Sequence, residues 1–280
     1  MDTRLSGKVA VVTGAGRVGG IGEAIARALA AEGAKVVLSD IGRSFERFPD
    51  YQVAARSEID TIRADLVKKG SEAEVVFADV SKEDDVATLV RRTVECFGRL
   101  DVMVNNAGIG LGLVPITELT VEAWRQNLDV MALGTMLGIR ESARQMIRQG
   151  EGGAIVNVAS QAGKTGWPLL GAYCAAKFAI VGLTQVAAKE LGRHNITVNS
   201  VCPGTVETPL LDLRGGLWEA YTKLSGQSVE ELKKSILPQI PLGRFQKPQD
   251  VADLVLFLAS EQGRYITGSA INTTGGQEMH

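Results

Sequence analysis

Lys8-Val9-Ala10-Val11-Val12-Thr13-Gly14-Ala15-Gly16-Arg17-Val18-Gly19-Gly20-Ile21-Gly22 is the stretch on which the fold turns. Lys8–Thr13 is a short β-branched, apolar run, the composition of a parallel strand buried on both faces. A glycine-rich turn follows, and then Glu23–Glu32, rich in helix-forming alanine and stopped by Gly33. Glycine permits the positive φ angles of a tight turn and lets a pyrophosphate approach the backbone. The helix that opens behind it offers free N–H groups and a partial positive charge. Gly14, Gly16 and Gly19 formally meet the G-x-G-x-x-G spacing of dinucleotide-binding turns. That spacing is weak by itself and gains weight from the strand before and the helix after.

Outward from this unit, strand and helix patterns alternate to the end of the chain. Apolar runs at Lys35–Ser39, Glu74–Phe77, Asp101–Val104, Ala154–Val158, Thr197–Val201 and Ala270–Asn272 read as further strands. Helical patterns at Ser57–Lys69, Lys82–Phe97, Leu119–Gln149, Tyr173–Arg193 and Pro248–Ala259 separate them. The alternation predicts an α/β fold: a single Rossmann-type domain over residues 1–280, a doubly wound parallel sheet with helices on both faces. Two segments break the rhythm, Ile41–Arg56 and Val206–Leu242. Ligands bind beyond the carboxyl ends of parallel strands, so long segments emerging there read as pocket walls. The second is expected to form a substrate lid at about 206–242.

Composition narrows the function classes. The 280 residues are 45% apolar and 22% charged, with a net charge of −2, so no basic field invites nucleic acid or an anionic membrane. The N-terminal Met1-Asp2-Thr3-Arg4-Leu5-Ser6-Gly7 has no apolar signal region, and no apolar stretch approaches the ~18–20 residues that span a bilayer. Cys96, Cys174 and Cys202 lie far apart and read as reduced thiols of a cytoplasmic protein. Two histidines, one of them the terminal His280, leave no basis for a metal site.

Asp40 closes the second strand, 18 residues after Gly22. A carboxylate there accepts hydrogen bonds from the adenosine ribose and repels the extra phosphate of NADP, so NAD is the cofactor expected. Arg17 is the contrary hint, because a basic loop residue suits a 2′-phosphate. Tyr173 and Lys177 stand four apart on one helix face, where a lysine cation lowers the pKa of a neighbouring phenol. Ser160 follows the fifth strand, at the carboxyl edge. Together the three suit proton removal from an alcohol while a hydride leaves its carbon. Taken singly, each has a plain structural explanation as a turn, a cap or a chance helical pair.

In company they are more telling. The chain resembles the short-chain dehydrogenase/reductase family along essentially its whole length. The matching pieces are the Thr13-Gly14…Gly20-Ile21-Gly22 turn, Asp79-Val80, Asn105-Asn106-Ala107-Gly108, Ser160, Tyr173…Lys177 and Pro203-Gly204, in family order. The resemblance implies that Tyr173 is the general acid/base, that Lys177 binds the nicotinamide ribose and tunes Tyr173, and that Ser160 orients the substrate. It implies that Asp79 contacts adenine with Val80 beside it, and that Asn105–Gly108 line the ribose and support the central strand. Pro203, Gly204, Val206 and Thr208 would cover the nicotinamide. Family members are commonly tetramers, so a homotetramer is expected, through the long helices and the C-terminal strand.

Two departures from the family pattern stand out. The phosphate turn is two residues longer than usual, which leaves open which of Gly16, Gly19 and Gly20 touches phosphate. Met131 occupies the place, seven residues after Trp124, where the family has an asparagine that anchors a water linking the lysine to solvent. A thioether cannot donate a hydrogen bond. Asn127, one turn earlier on the same face, either stands in part for that asparagine or reads as a surface residue, with the relay left to backbone and water. The tail from Ile236 to Gly268 and the segment Asn157–Gly163 resemble polyol and acetoin-type diol dehydrogenases. That implies a small secondary alcohol or ketone: a diol, a sugar alcohol or a cyclic alcohol. Leu169, Leu170, Leu210, Leu211 and Trp218 are expected to make the pocket more apolar than a sugar site, and Gln161 to bond a second hydroxyl or cap a turn. The alternatives are an NADPH-dependent 3-oxoacyl thioester reductase and a nucleotide-sensing protein without chemistry.

Overall fold

The computed structural model describes residues 5–280, so Met1–Arg4 of the N-terminal reading lie outside the described residues. The strands are β1 (Val9–Thr13), β2 (Lys35–Asp40), β3 (Ala73–Phe77), β4 (Val102–Asn105), β5 (Gly153–Val158), β6 (Ile196–Pro203) and β7 (Ala270–Thr273). They form one seven-stranded sheet in the order β3-β2-β1-β4-β5-β6-β7, every pair parallel. The order reverses between β1 and β4, which opens a crevice at their carboxyl ends.

Period-2 alternation along the strands divides the core between two helical layers. Ala10 and Val12 of β1, with Val36 and Leu38 of β2, face α1 (Ile21–Ala31), α2 (Arg56–Lys68) and α10 (Pro248–Ala259). Val11, Val37 and Ile155 face the opposite layer of α3 (Glu83–Phe97), α5 (Gly134–Gln149) and α6 (Gly171–Leu191). Both faces of the central strands are covered, which is why they read as unbroken apolar runs.

The expected helix over Leu119–Gln149 is three pieces. Thr120 caps α4 (Val121–Asn127), its Oγ1 accepting from the Ala123 N–H at 3.2 Å. A π-helical turn spans Leu128–Leu133, and α5 continues from Gly134. The 206–242 segment holds α7 (Pro209–Asp212), α8 (Leu217–Ser225) and α9 (Val229–Ile236). The statement that no apolar stretch reaches membrane-spanning length needs correction, since Gly171–His194 is long and apolar enough by composition. Part of its apolar surface serves the core. Ala176, Ile180 and Ala187 are buried inside the domain, beside the buried Lys177.

Candidate active site

The crevice between β1 and β4 is bounded by the first glycine turn. Gly14 has φ 63°, and a Cβ there would sit 2.7 Å from the Ala107 Cα; a Cβ on Gly22 would run into the Gly14 carbonyl. Asn106 staples the turn to the end of β4, its Nδ2 donating to the carbonyls of Thr13 at 2.8 Å and Gly14 at 3.1 Å. The Thr13 hydroxyl in turn accepts from the N–H groups of Asn106 and Ala107. The lengthened turn sorts its own glycines. Gly16 packs on Asp40, Gly19 lies near Pro209, and Gly20, Ile21 and Gly22 line the crevice with Gly14. Gly20 is the N-cap of α1, and no side chain caps that helix. The first-turn amides are thus left toward the crevice, where an anion suits them.

Asp40 ends β2 on the crevice wall. Its Oδ2 accepts from the Gly16 N–H at 2.9 Å and its Oδ1 from the Ile41 N–H at 2.8 Å. Each oxygen keeps a further lone pair for a sugar hydroxyl. Burial raises the pKa of this carboxyl, and the two backbone N–H groups and Arg17 oppose that rise. Arg17 itself is turned onto the Ile41–Arg56 loop, donating to the Gln52 carbonyl. Asp79 and Val80 line the crevice further along, Asp79 paired with Arg43 at 3.2 Å and accepting from the Ser81 hydroxyl at 2.6 Å. Uncapped helix amides, close-packed glycines and a two-oxygen acceptor one strand away fit a dinucleotide.

The reacting end is built where β5, α6 and β6 meet. Ser160 follows β5, and its Oγ accepts from the Ala162 N–H at 3.1 Å. Tyr173 and Lys177 lie on the first turns of α6. Lys177 Nζ donates to the Val158 carbonyl at 2.7 Å and stands 5.5 Å from the Tyr173 ring centroid. Burial pushes the Tyr173 hydroxyl up to about 12, partly opposed by a hydrogen bond with Ser160. Burial also lowers the Lys177 ammonium to about 8. Asn105 stands apart from this group, buried behind the crevice rather than lining it. Its Nδ2 donates to Asn157 Oδ1 at 2.8 Å, and Asn157 Nδ2 donates to the Thr184 hydroxyl at 2.9 Å. The chain ties β4 and β5 to α6, the helix that carries Tyr173. On the far wall, Pro203, Gly204, Val206 and Thr208 line the crevice where β6 gives way to α7.

The two residues of the departed relay sit differently from expectation. Asn127 is fully buried, not a surface residue, with Nδ2 donating to the Leu111 carbonyl at 2.9 Å and to the Ala123 carbonyl at 2.7 Å. Met131 is also fully buried, within the π turn. Its Sδ and Lys177 Nζ both lie 3.8 Å from where a Cβ on Gly108 would stand. The thioether therefore lies in the same neighbourhood as the lysine and can offer it no hydrogen-bond donor. It belongs to a π turn, a feature that displaces main-chain hydrogen bonds. Met131→Asn is expected to cost about 1–3 kcal/mol of stability for its buried amide, read as a lowered Tm, with kcat held within a few-fold. A collapse of kcat in variant protein that still melts cooperatively would show that the methionine itself positions Lys177.

Sequence reasoning flagged the Ile41–Arg56 loop but missed the residue in it that matters. Tyr51 lines both the crevice and a second cavity beside it, its hydroxyl accepting from the Gly110 N–H at 3.2 Å and its ring 5.9 Å from that of Phe45. The only signal available was an aromatic in a long loop after β2. Leu170, Leu210 and Leu211 line the second cavity as expected. Leu169 and Trp218 do not: Leu169 is buried outside the wall with φ 67°, and Trp218 packs edge-on against Phe245 at 6.3 Å. Gln161 lines the cavity, nine-tenths buried, and its Oε1 has no partner among the described residues.

Residues 14–278 match the family model described as enoyl-(acyl carrier protein) reductase. A short-chain dehydrogenase/reductase of Armillaria gallica is 40% identical over 96% of this chain and 95% of its own. The diacetyl reductase [(S)-acetoin forming] of Staphylococcus epidermidis is 38% identical over 96% of this chain and 98% of its own. The crystal structure of levodione reductase superposes with a TM-score of 0.85 at 30% identity, covering 98% of each chain. The chain belongs to the short-chain dehydrogenase/reductase family and is an alcohol/ketone oxidoreductase that uses a nicotinamide cofactor.

Proposed function

We propose that the chain exchanges a hydride between NAD(H), in preference to NADP(H), and a small secondary alcohol/ketone pair, a diol, a sugar alcohol or a cyclic alcohol, with Tyr173 as general acid/base. The observation that carries this reading is the spacing of its two ends along one crevice. Asp40 offers two carboxylate oxygens at one end, and Ser160, Tyr173 and Lys177 converge at the other. A nicotinamide held in the crevice would supply the acceptor for the hydride that the carbinol carbon gives up on becoming a ketone. Tyr173 takes the hydroxyl proton, Ser160 holds the same oxygen, and Lys177 carries positive charge beside the phenol. Pro203, Gly204, Val206 and Thr208 shield one face of the reacting pair, and the 206–242 segment closes over it as a lid.

The direction of the Tyr173 shift fixes the sign of the pH dependence. With its hydroxyl up at about 12 in the free protein, Tyr173 is protonated at neutral pH and ready to donate to a ketone oxygen. Alcohol oxidation needs the phenolate, so its kcat/KM is expected to climb from about pH 7 and less steeply above about 8, where Lys177 gives up its proton, while ketone reduction stays level or falls. Initial rates in both directions across that range check it. Oxidation that slows as pH rises would contradict the role given to Tyr173.

Asp40 speaks against the NADPH-dependent 3-oxoacyl thioester reductase, because a buried carboxylate facing a ribose phosphate is costly. The remaining parts of the reading concern the setting. A homotetramer in the cytoplasm, without nucleic-acid or membrane partners, is supported by the small net charge and by exposed Phe178 and Val186 along α6. Much of the Leu133–Ile139 face, by contrast, packs inside the subunit, with Leu137 and Ile139 buried. Light scattering that reads a single-chain mass would remove the tetramer from the account.

A further inference from the structure

Beside the Tyr173 hydroxyl, away from the glycine turn, lies a cavity of ≈ 400 Å³. The lid supplies one wall through Leu210, Leu211, Leu213 and Leu217, and α9 turns Leu232 and Ile236, four apart, onto the same space. Trp167, Pro168 and Leu170 face them from the loop before α6, with Leu113 completing the lining. Among the described residues that line it, none carries a formal charge. The charges of α9 lie on the other side of the helix, where Glu230, Glu231 and Lys234 are exposed. Ser160, Tyr173 and Gln161 stand at the reacting end, and the exposed Ser235 and Gln239 lie on α9 and just after it. Uncharged polar groups also come from Tyr51, Thr205, Tyr221, Gln277 and the Trp167 indole N–H, set among the leucines.

A polyhydroxylated chain in this space would give up water along its length and, against a lining dominated by leucine side chains, find fewer partners than it has hydroxyls. Each hydroxyl left unpaired costs about tenfold or more in affinity. A carboxylate or phosphate would meet no cation there and would pay more. Apolar carbon, by contrast, gains about fourfold for every methylene buried. At the packing of an organic liquid, a space of this volume takes roughly ten to fifteen non-hydrogen atoms.

We propose that the substrate is an uncharged, mainly apolar secondary alcohol or its ketone of that size, reacting at a carbinol held by Ser160 and Tyr173. A second polar group, where the substrate has one, meets Gln161, whose Oε1 lacks a partner among the described residues. The inference rests on the alcohol/ketone reading of this site and narrows it away from sugar alcohols. The reaction is unchanged: the carbinol C–H gives a hydride to the nicotinamide and the O–H gives its proton to Tyr173.

Two measurements on the full chain test it together. The first is kcat/KM with NAD⁺ for cyclohexanol, for alkyl-substituted cyclohexanols of increasing size, for a hexitol and for a 2-hydroxy acid. The second is quenching of Trp167 fluorescence by the matching cyclohexanones, with Trp167→Phe as the control that removes the signal. The expected result is a rise of about fourfold in kcat/KM per added methylene, the hexitol and hydroxy acid lagging by 10²-fold or more, and quenching that tightens in the same order. A hexitol or hydroxy acid turned over best would overturn the substrate class and leave the oxidoreductase standing. Apolar ketones that bind while no alcohol reacts would uphold the cavity and overturn the catalytic reading. Absence of both binding and turnover with apolar compounds would overturn the proposal.

Discussion

Tyr173→Phe is expected to lower kcat by about 10²- to 10⁴-fold, the usual contribution of a positioned proton donor or acceptor, with little change in dinucleotide affinity. Only the hydroxyl is lost. The ring keeps its place against Lys177 and the Val130, Met131 and Ala176 cluster. The reaction then has no group at the substrate oxygen to exchange the proton, because the Ser160 hydroxyl accepts from the Ala162 N–H and lacks a base of its own. Steady-state rates on the purified variant, alongside fluorescence titration with NADH, separate the two effects. A variant that retains more than about a tenth of the rate would move the proton transfer to another group. A variant that loses dinucleotide binding would show that the hydroxyl holds the cofactor rather than the substrate.

Asp40→Ala is expected to raise KM for NAD⁺ by about 10- to 100-fold, the cost of removing hydrogen bonds to a charged acceptor, and to lower KM for NADP⁺. Asp40 acts through geometry already in place. Gly16 and Ile41 hold its two oxygens, so the carboxylate is aimed before the dinucleotide arrives. The substitution also frees Arg17 from a neighbouring opposite charge, since Arg17 acts electrostatically on Asp40. With the carboxylate gone, nothing offsets the attraction of that arginine for the extra phosphate. KM values for both dinucleotides, measured on wild type and variant, give the answer. Unchanged preference would remove Asp40 from cofactor selection and point to Arg17 or the Arg43–Asp79 pair.

Strands and glycine turn were legible in the sequence because they depend on local composition. A parallel strand covered on both faces must be apolar throughout, so Lys8–Thr13 and Ala154–Val158 announce Val9–Thr13 and Gly153–Val158 within a residue or two. The clustering of Ser160, Tyr173 and Lys177 on one crevice was legible because they belong to motifs of fixed spacing. What was hidden depends on pairings distant in sequence. Asn127 looks like a surface residue until the Leu111 carbonyl arrives beside it from a loop 16 residues away. The π turn at Leu128–Leu133 shifts main-chain hydrogen bonds by one residue and leaves no mark in composition. Tyr51 belongs to a loop whose path no pattern specifies, and only its hydrogen bond from Gly110 shows where it rests. Trp218 was placed on the cavity by its chemistry, whereas α8 turns it inward against Phe245.

The central claim is direct transfer of a hydride between the carbinol carbon and the dinucleotide. The most direct test supplies a secondary alcohol deuterated at that carbon and reads the dinucleotide product by mass spectrometry after turnover with NAD⁺. The account predicts one deuterium in each NADH formed and an equal amount of ketone. NADH formed without deuterium, or ketone formed with no reduced dinucleotide, would contradict it.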